Sequence, residues 1–332
     1  MTEIPSTIEA PASRRVRALD VAREAGVSRA AVGFVINNTP GITISSATRE
    51  KVLEAAKKLG YRPNVAASAL ARGKSNIVLL VLPDWPLDQM LGRHLAEAER
   101  VLNSAGLHLI TSTKHSGSDS RPLWELLAPD IVIGLMPFTE EELTALRNAG
   151  IARVYPDREM DATENPAYER GPRLQVEHLI DGGHARIAYV GSGDPYLQTL
   201  SDLRHRVAAS VAEERGALIA ATAIATIDSD LSEQVRSWRA NGISAVVAYN
   251  DEIAAVVLRA AHDAAVAVPE ELAVVGHDDV PLARLVTPAL TTIAYDASGL
   301  GDLFTQLARD PAVMPDMSKL VTLPNLVVRA SG

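Results

Sequence analysis

From Ile77 onward the chain alternates short aliphatic runs with amphipathic segments, and this alternation narrows the possible folds more than any other feature. The runs "NIVLLVLP" (76–83), "LHLITST" (107–113), "DIVIGLMP" (130–137), "RIAYVGSG" (186–193), "ISAVVAYN" (243–250) and "LAVVGHDD" (272–279) read as strands. Most have no polar alternation, so both faces must be covered, as in parallel sheets flanked by helices. The intervening segments, among them "EEELTALRNAG", "LQVEHLIDGG", "RHRVAASVAEERGA" and "DEIAAVVLRAAHDAA", have helical spacing. Two such series predict an α/β body of two lobes, each a doubly wound parallel sheet, with a cleft between them. Ligands of open α/β sheets bind beyond the carboxyl ends of the strands.

Charge separates this body from what precedes it. Residues 1–76 carry 12 Lys and Arg against 6 Asp and Glu, whereas the remainder carries 20 against 35. A basic head on an acidic body implies a polyanionic partner for the head alone. The sequence contains no cysteine, which excludes disulfides, thiolate metal sites and cysteine nucleophiles. The opening "MTEIPSTIEAPASRRVR" lacks the apolar core of a signal peptide and reads as a loose tail over 1–16. No apolar run approaches the roughly 20 residues needed to span a bilayer. A soluble cytoplasmic protein with no membrane partner is expected.

Within the head, "LDVAREA" places Leu19, Ala22 and Ala25 on one helical face, and Gly26 supplies a tight turn. Ser28 is positioned to cap a second helix whose inward stripe is Val32, Val35 and Ile36. A third helix runs from about Ser46 to Leu59, capped by Ser45, with Val52, Leu53, Ala56 and Leu59 as its apolar face. Together they form a helix-turn-helix domain over 17–62. If the second helix buries its valines, Arg29, Ala30, Gly33 and Phe34 face outward. Arginine reads guanine bidentately in the major groove, and an aromatic ring suits a thymine methyl. Gly33 would then permit close backbone approach. The competing assignment makes Phe34 a core residue and Gly33 a kink. Ser28, Asn37 and Thr48 complete the expected DNA-facing set. Asn64–Ala71 has helix-forming composition but is too short to be helical alone, so 63–76 reads as a hinge and linker.

The run "DVAREAGVS", the "TREKV" helix and "LGYRPN" before the hinge resemble the lactose-repressor/galactose-repressor (LacI/GalR) family of bacterial transcription regulators. "EHLIDGGHARIAYVG", the long stretch from "SAVVAYNDEIAA" to "GHDDVPLARLVTPALTTI" and the closing "VTLPNLVVRASG" extend the resemblance over almost the whole body. It implies that Arg29, Ala30 and Phe34 read bases and that Leu70 is the hinge leucine that wedges into the minor groove. It also implies a core over 77–332 like the periplasmic sugar-binding proteins, with three crossings between lobes. Ala31, Gly33 and Phe34 stand where relatives usually carry Thr, Ser and often Arg, and Asn165–Pro172 lacks their usual valine-rich strand with Asp-Asn.

Strand-end carboxylates Asp84, Asp157, Asp251 and Asp278 are candidate effector contacts, with Trp85, Tyr155 or Tyr249 available to stack on a ring. By resemblance, Arg206 and Asp251 hold effector hydroxyls or charges. Asp251 as a helix cap and Asp278 as a turn residue remain the alternatives. "GSGD" (191–194) lacks the Lys-Ser/Thr of a phosphate loop, and His178, His184 and His277 have no metal-ligand spacing. No catalytic residue, metal or cofactor is expected. The expected function is a repressor that binds a near-palindromic DNA operator as a homodimer and responds to a sugar or related metabolite. A purine or nucleoside co-repressor, and a sugar-binding module without a DNA role, are the alternatives.

Overall fold

The computed structural model describes residues 16–37, 41–62, 74–86, 89–115, 121–159, 166–296, 298–309 and 324–332. The chain divides into two compact units, 1–75 and 76–332.

The first unit holds three helices, α1 (Ala18–Ala25), α2 (Arg29–Ile36) and α3 (Ser46–Leu59). Gly26 takes φ 65° between α1 and α2, and Gly60 takes φ 62° at the end of α3, left-handed conformations that glycine adopts without strain. Ser28 Oγ accepts from the Ala31 N–H at 3.1 Å, and Ser45 Oγ accepts from the Thr48 N–H at 3.2 Å. Both helix starts expected from sequence are therefore present. Val21, Ala22, Val32, Val35, Val52, Ala55 and Ala56 form the core, with Ile36, Leu59 and Tyr61 against its edge. Leu53, expected inward, is 49% exposed. The buried stripe of α3 is Val52, Ala55, Ala56 and Leu59, at i, i+3, i+4 and i+7, and Leu53 lies one helical step off it.

The second unit contains both expected lobes. In the first, β1 (Ile77–Leu82), β2 (His108–Thr113), β3 (Ile131–Gly134) and β4 (Val154–Tyr155) form a parallel sheet in the order β2-β1-β3-β4. One face packs against α4 (Gln89–Ser104) and α12 (Ser298–Arg309), where Leu303, Phe304 and Leu307 meet Val78, Leu80 and Leu102. Gly301 makes this helix pair possible, because a Cβ there would lie 2.7 Å from that of Val101. The other face is covered by α5 (Leu123–Leu127) and α6 (Glu140–Asn148), with Leu143 and Leu146 against Leu79 and Val132.

In the second lobe, β5 (Arg186–Ser192), β6 (Leu218–Ala225), β7 (Ala245–Ala248) and β8 (Ala273–Val275) form a parallel sheet in the order β6-β5-β7-β8. Helices α7 (Pro166–Asp181) and α8 (Gln198–Glu214) cover one face through Val176, Leu179, Val207 and Val211. Helices α9 (Ser232–Ala240) and α10 (Asp251–Asp263) cover the other through Val235, Trp238, Ile253 and Val257. After the short α11 (Leu282–Leu285), β9 (Thr292–Ala294) leads back to the first lobe at α12, and β10 (Asn325–Val327) pairs antiparallel with β9. The chain thus passes between lobes after β4, after β9 and again before β10. The stretch Asn165–Pro172, which departs from the family pattern in sequence, enters helix α7 at Pro166.

Candidate functional site

Two separate surfaces carry the candidate chemistry. On α2, Val32 and Val35 are 1% and 3% exposed, whereas Phe34 between them is 36% exposed. Arg29 and Ala30 are also exposed, as is the capping Ser28. Gly33 has no positive φ, and a Cβ built there meets no atom within 4 Å. Neither backbone conformation nor internal packing therefore requires a glycine at 33, and the kink assignment has no structural basis. The half-buried Asn37 closes the helix through its N–H, which donates to the Gly33 carbonyl at 3.0 Å. Thr48 is half-buried and its hydroxyl lies 2.9 Å from Ser45 Oγ, so it serves the start of α3 as well as any outside partner. Leu70 and the 63–73 part of the expected hinge lie outside the described residues.

The second surface is built where β5, β7 and β8 end. Arg204, in α8, is 6% exposed and points at these strand ends. Its Nη1 donates to the Tyr249 carbonyl at 2.6 Å and its Nη2 donates to Asp278 Oδ1 at 3.1 Å. The guanidinium carbon lies 4.7 Å from the centre of the Tyr249 ring, a cation–π approach. Burial opposes the charge, but Asp278 and the surrounding tyrosines more than offset it and hold Arg204 above the usual arginine range. Asp278 and Asp279 adopt φ 100° and 43°. Non-glycine residues rarely accept such values, which cost about 1–3 kcal/mol each. Asp279 is fixed in this turn by Arg329, whose Nη2 lies 2.5 Å from its carboxylate.

Tyr168, in α7, donates its hydroxyl hydrogen to the Leu135 carbonyl beyond β3, linking the second lobe to the first. Trp85, beyond β1, packs against the second lobe's apolar cluster alongside Tyr168. Burial raises the Tyr168 and Tyr295 phenols above the ordinary tyrosine range, so both remain protonated donors.

Several expected contacts lie elsewhere. Arg206 is exposed on α8 and borders a surface hollow with Glu169, Arg173 and Ser210. Two residues along a helix turn the side chain about 200°, so Arg204 rather than Arg206 faces the strand ends. Asp251 is 1% exposed and points inward, its Oδ2 accepting from the Val280 N–H at 2.8 Å and its Oδ1 from the Thr292 hydroxyl. It ties the start of α10 to β9 and to the loop after Asp279. The helix cap is its neighbour Asn250, which accepts from the Ile253 N–H at 2.9 Å. Burial, the proximity of Asp278 and that of Asp279 push the Asp251 carboxyl up to about 7 despite its two hydrogen bonds. Asp84 pairs with His115 Nδ1 at 2.8 Å, and Asp157 is exposed, where its charge adds to the burial that raises Tyr155 to about 12. Among the described residues no group of three potential metal ligands occurs, and no helix is long and apolar enough to cross a membrane.

The buried Arg204 was missed although its position was legible. Leu200, Leu203, Arg204 and Val207 are all buried at the spacing of an inward stripe. Gln175, Tyr168 and Tyr295 carried no comparable signal.

A helix-turn-helix head with its second helix facing outward, joined to a two-lobed α/β body with charged residues at its strand ends, defines a DNA-binding regulator with a binding-protein core. The chain belongs to the LacI family of bacterial regulatory proteins. Residues 19–64 match the model "Bacterial regulatory proteins, lacI family", and residues 176–331 match a periplasmic binding protein-like domain. The transcriptional regulator GalS of Salmonella typhimurium is 31% identical over 308 residues, covering 87% of this chain and 88% of its own. GalR of Escherichia coli is 31% identical over 331 residues, 94% of each chain. A crystal structure of the lac repressor dimer bound to operator and the anti-inducer ONPF superimposes with a TM-score of 0.73 at 24% identity, over 96% of this chain and 99% of that one. These relatives are transcription regulators rather than enzymes.

Proposed function

We propose that this chain is a cytoplasmic repressor that binds a near-palindromic operator as a homodimer and releases it in response to a polyhydroxylated small molecule. It has no catalytic role. In this reading α2 lies in the major groove, with Arg29 on a guanine, Phe34 against a thymine methyl and Gly33 allowing close approach. The observation that carries the effector side is the buried Arg204–Asp278 pair at the strand ends. It places a cationic donor and a carboxylate acceptor together, the combination that grips neighbouring hydroxyls directionally. The names of the relatives support the same reading: GalS and GalR as regulators, and a lac repressor dimer seen with operator. The test is to select operators from random duplex DNA with the full-length chain. Binding is then measured with D-galactose, D-glucose, D-ribose or cellobiose, and separately with adenosine or guanine. A two-fold symmetric site released by a sugar is the expected result. Tighter binding with a purine would convert the repressor to a co-repressor-dependent one, and no sequence preference at all would end the DNA reading.

A further inference from the structure

Tyr295 follows directly on strand β9, where the chain leaves the second lobe, and its hydroxyl belongs to a hydrogen-bond chain that runs in one direction. Its oxygen lies 2.8 Å from His277 Nε2. His277 Nδ1 lies 3.1 Å from Gln175 Oε1. Gln175 Nε2 faces three main-chain carbonyls, those of Gly276, Ala248 and Val275, at 2.8, 3.0 and 3.3 Å.

The direction follows from what each atom can do. Carbonyl oxygens only accept, so the Gln175 end that faces them must be its NH₂ group. Its Oε1 is then an acceptor, and His277 Nδ1 must carry a hydrogen. His277 is fully buried. Burial, aided by the Arg204 charge, lowers its pKa well below the usual histidine value, so the ring is neutral and has one N–H. That hydrogen is on Nδ1, which leaves Nε2 bare. The single hydrogen of the Tyr295 hydroxyl must go to it. The contact is built closely: a Cβ on Gly171 would lie 2.5 Å from both His277 Cε1 and Tyr295 Oη. Tyr295 is half-buried, and the His277 Nε2 that its hydroxyl meets lies 4.0 Å from Asp278 Oδ1, which places the hydroxyl beside the Arg204–Asp278 pair.

We propose that Gln175 and His277 are positioning residues that commit the Tyr295 oxygen to act as a hydrogen-bond acceptor toward the effector. The site therefore takes a ligand that presents a hydroxyl donor to Tyr295 and rejects one that presents a donor-free oxygen or fluorine there. This rests on the strand ends that hold Arg204 and Asp278 being the effector site. It adds a specificity rule that the Arg204–Asp278 pair does not supply, since that pair offers both a donor and an acceptor.

The first test needs no ligand. The full-length chain, labelled with ¹⁵N-histidine, contains eight histidines, and the His277 signals are assigned by their loss in His277→Asn. Long-range ¹H–¹⁵N spectra at neutral pH should show a neutral ring with hydrogen on Nδ1 and a bare, hydrogen-bonded Nε2. In Tyr295→Phe the Nε2 resonance should move to the position of a free acceptor, and in Gln175→Met the preference for the Nδ1 form should fall. A hydrogen on Nε2, or a doubly protonated ring, overturns the proposal. The second test measures D-galactose and its deoxyfluoro analogues against wild type and Tyr295→Phe by thermal shift. At one ring carbon, wild type should prefer hydroxyl over fluorine by about tenfold or more, and Tyr295→Phe should lose that preference. An unchanged preference in the variant overturns the specificity rule. If D-galactose stabilises neither protein and the other three sugars also fail, the effector reading falls together with the ligand rule, whereas the spectra still decide how Tyr295 is polarised.

Discussion

Arg204 and Arg206 stand two residues apart on α8 and face opposite ways: one is buried against Tyr249 and Asp278, the other is exposed beside Arg173. Their substitutions should therefore differ sharply. Arg204→Met leaves the Asp278 carboxylate buried without its cation, which should cost about 3–5 kcal/mol. Arg206→Ala should stay within about 0.5 kcal/mol of wild type. Urea unfolding of the two variants checks this, with Arg204→Met/Asp278→Leu expected to recover much of the loss. Equal destabilisation by the two single changes would contradict the geometry.

On α2, stability and DNA binding should move in opposite directions. Gly33→Ala adds a methyl group that meets nothing within 4 Å, so it should stabilise the head by about 0.5–1 kcal/mol through helix propensity. Operator affinity should nevertheless fall, because in the proposed docking of α2 the added carbon stands where the backbone approaches DNA. Arg29→Ala should cost about 1–3 kcal/mol on the operator and relax discrimination at one base pair. Thermal melts and gel-shift titrations on specific and random duplexes measure both. An Arg29→Ala loss equal on both duplexes would remove Arg29 from the base-reading set.

Asp251 makes stability depend on pH in an unusual direction for a carboxylate. Its folded pKa is raised from 3.8 to about 7, so the folded state binds the proton more tightly than the unfolded one. The stabilising effect of that proton is complete below about pH 4 and is lost as pH rises toward 7, amounting to about 4 kcal/mol. Asp251→Asn cannot ionise. Its amide oxygen can still accept from the Val280 N–H, and the Thr292 hydroxyl can turn to accept from its NH₂. Melting curves across this range should thus lose part of their pH slope in the variant; an identical slope would show that Asp251 titrates normally.

Tyr168→Phe removes the hydroxyl that joins α7 to the Leu135 carbonyl. The expected cost is about 0.5–1.5 kcal/mol, with a larger radius of gyration in solution scattering as the lobes separate more readily. If scattering curves of variant and wild type coincide, the lobes are held by other contacts.

What could be read in the sequence was what neighbouring residues decide among themselves. Ser28 and Ser45 cap helices through atoms three residues away, and the six aliphatic runs became β1, β2, β3, β5, β7 and β8, while β4 and the partly exposed β6 were not read as strands. The error at Leu53 was one of helical phase, which a stricter count of the i, i+3, i+4 pattern would have avoided, whereas Arg206 was named by resemblance and the structure turns Arg204 instead toward the strand ends. The remaining contacts could not be read this way. Asp251 meets Thr292 across 41 residues, and Gln175 meets His277 across 102. Only the strand order of the second lobe brings such pairs together. Asp251 also shows why residue type misleads: an acid at a strand end fits both a ligand contact and an internal tie, and only its burial separates them.

The place of α12 has a consequence for how the protein is made. Leu303, Phe304 and Leu307 complete the core around Val78, Leu80 and Leu102, yet the ribosome adds them only after β5 to β9 of the second lobe. On a growing chain, the apolar face of β1 and α4 stays uncovered while β5 to β8 emerge, so the second lobe has all its own sheet helices before the first does. The nascent first lobe is therefore the part most exposed to chaperones, proteases and mispairing with other chains.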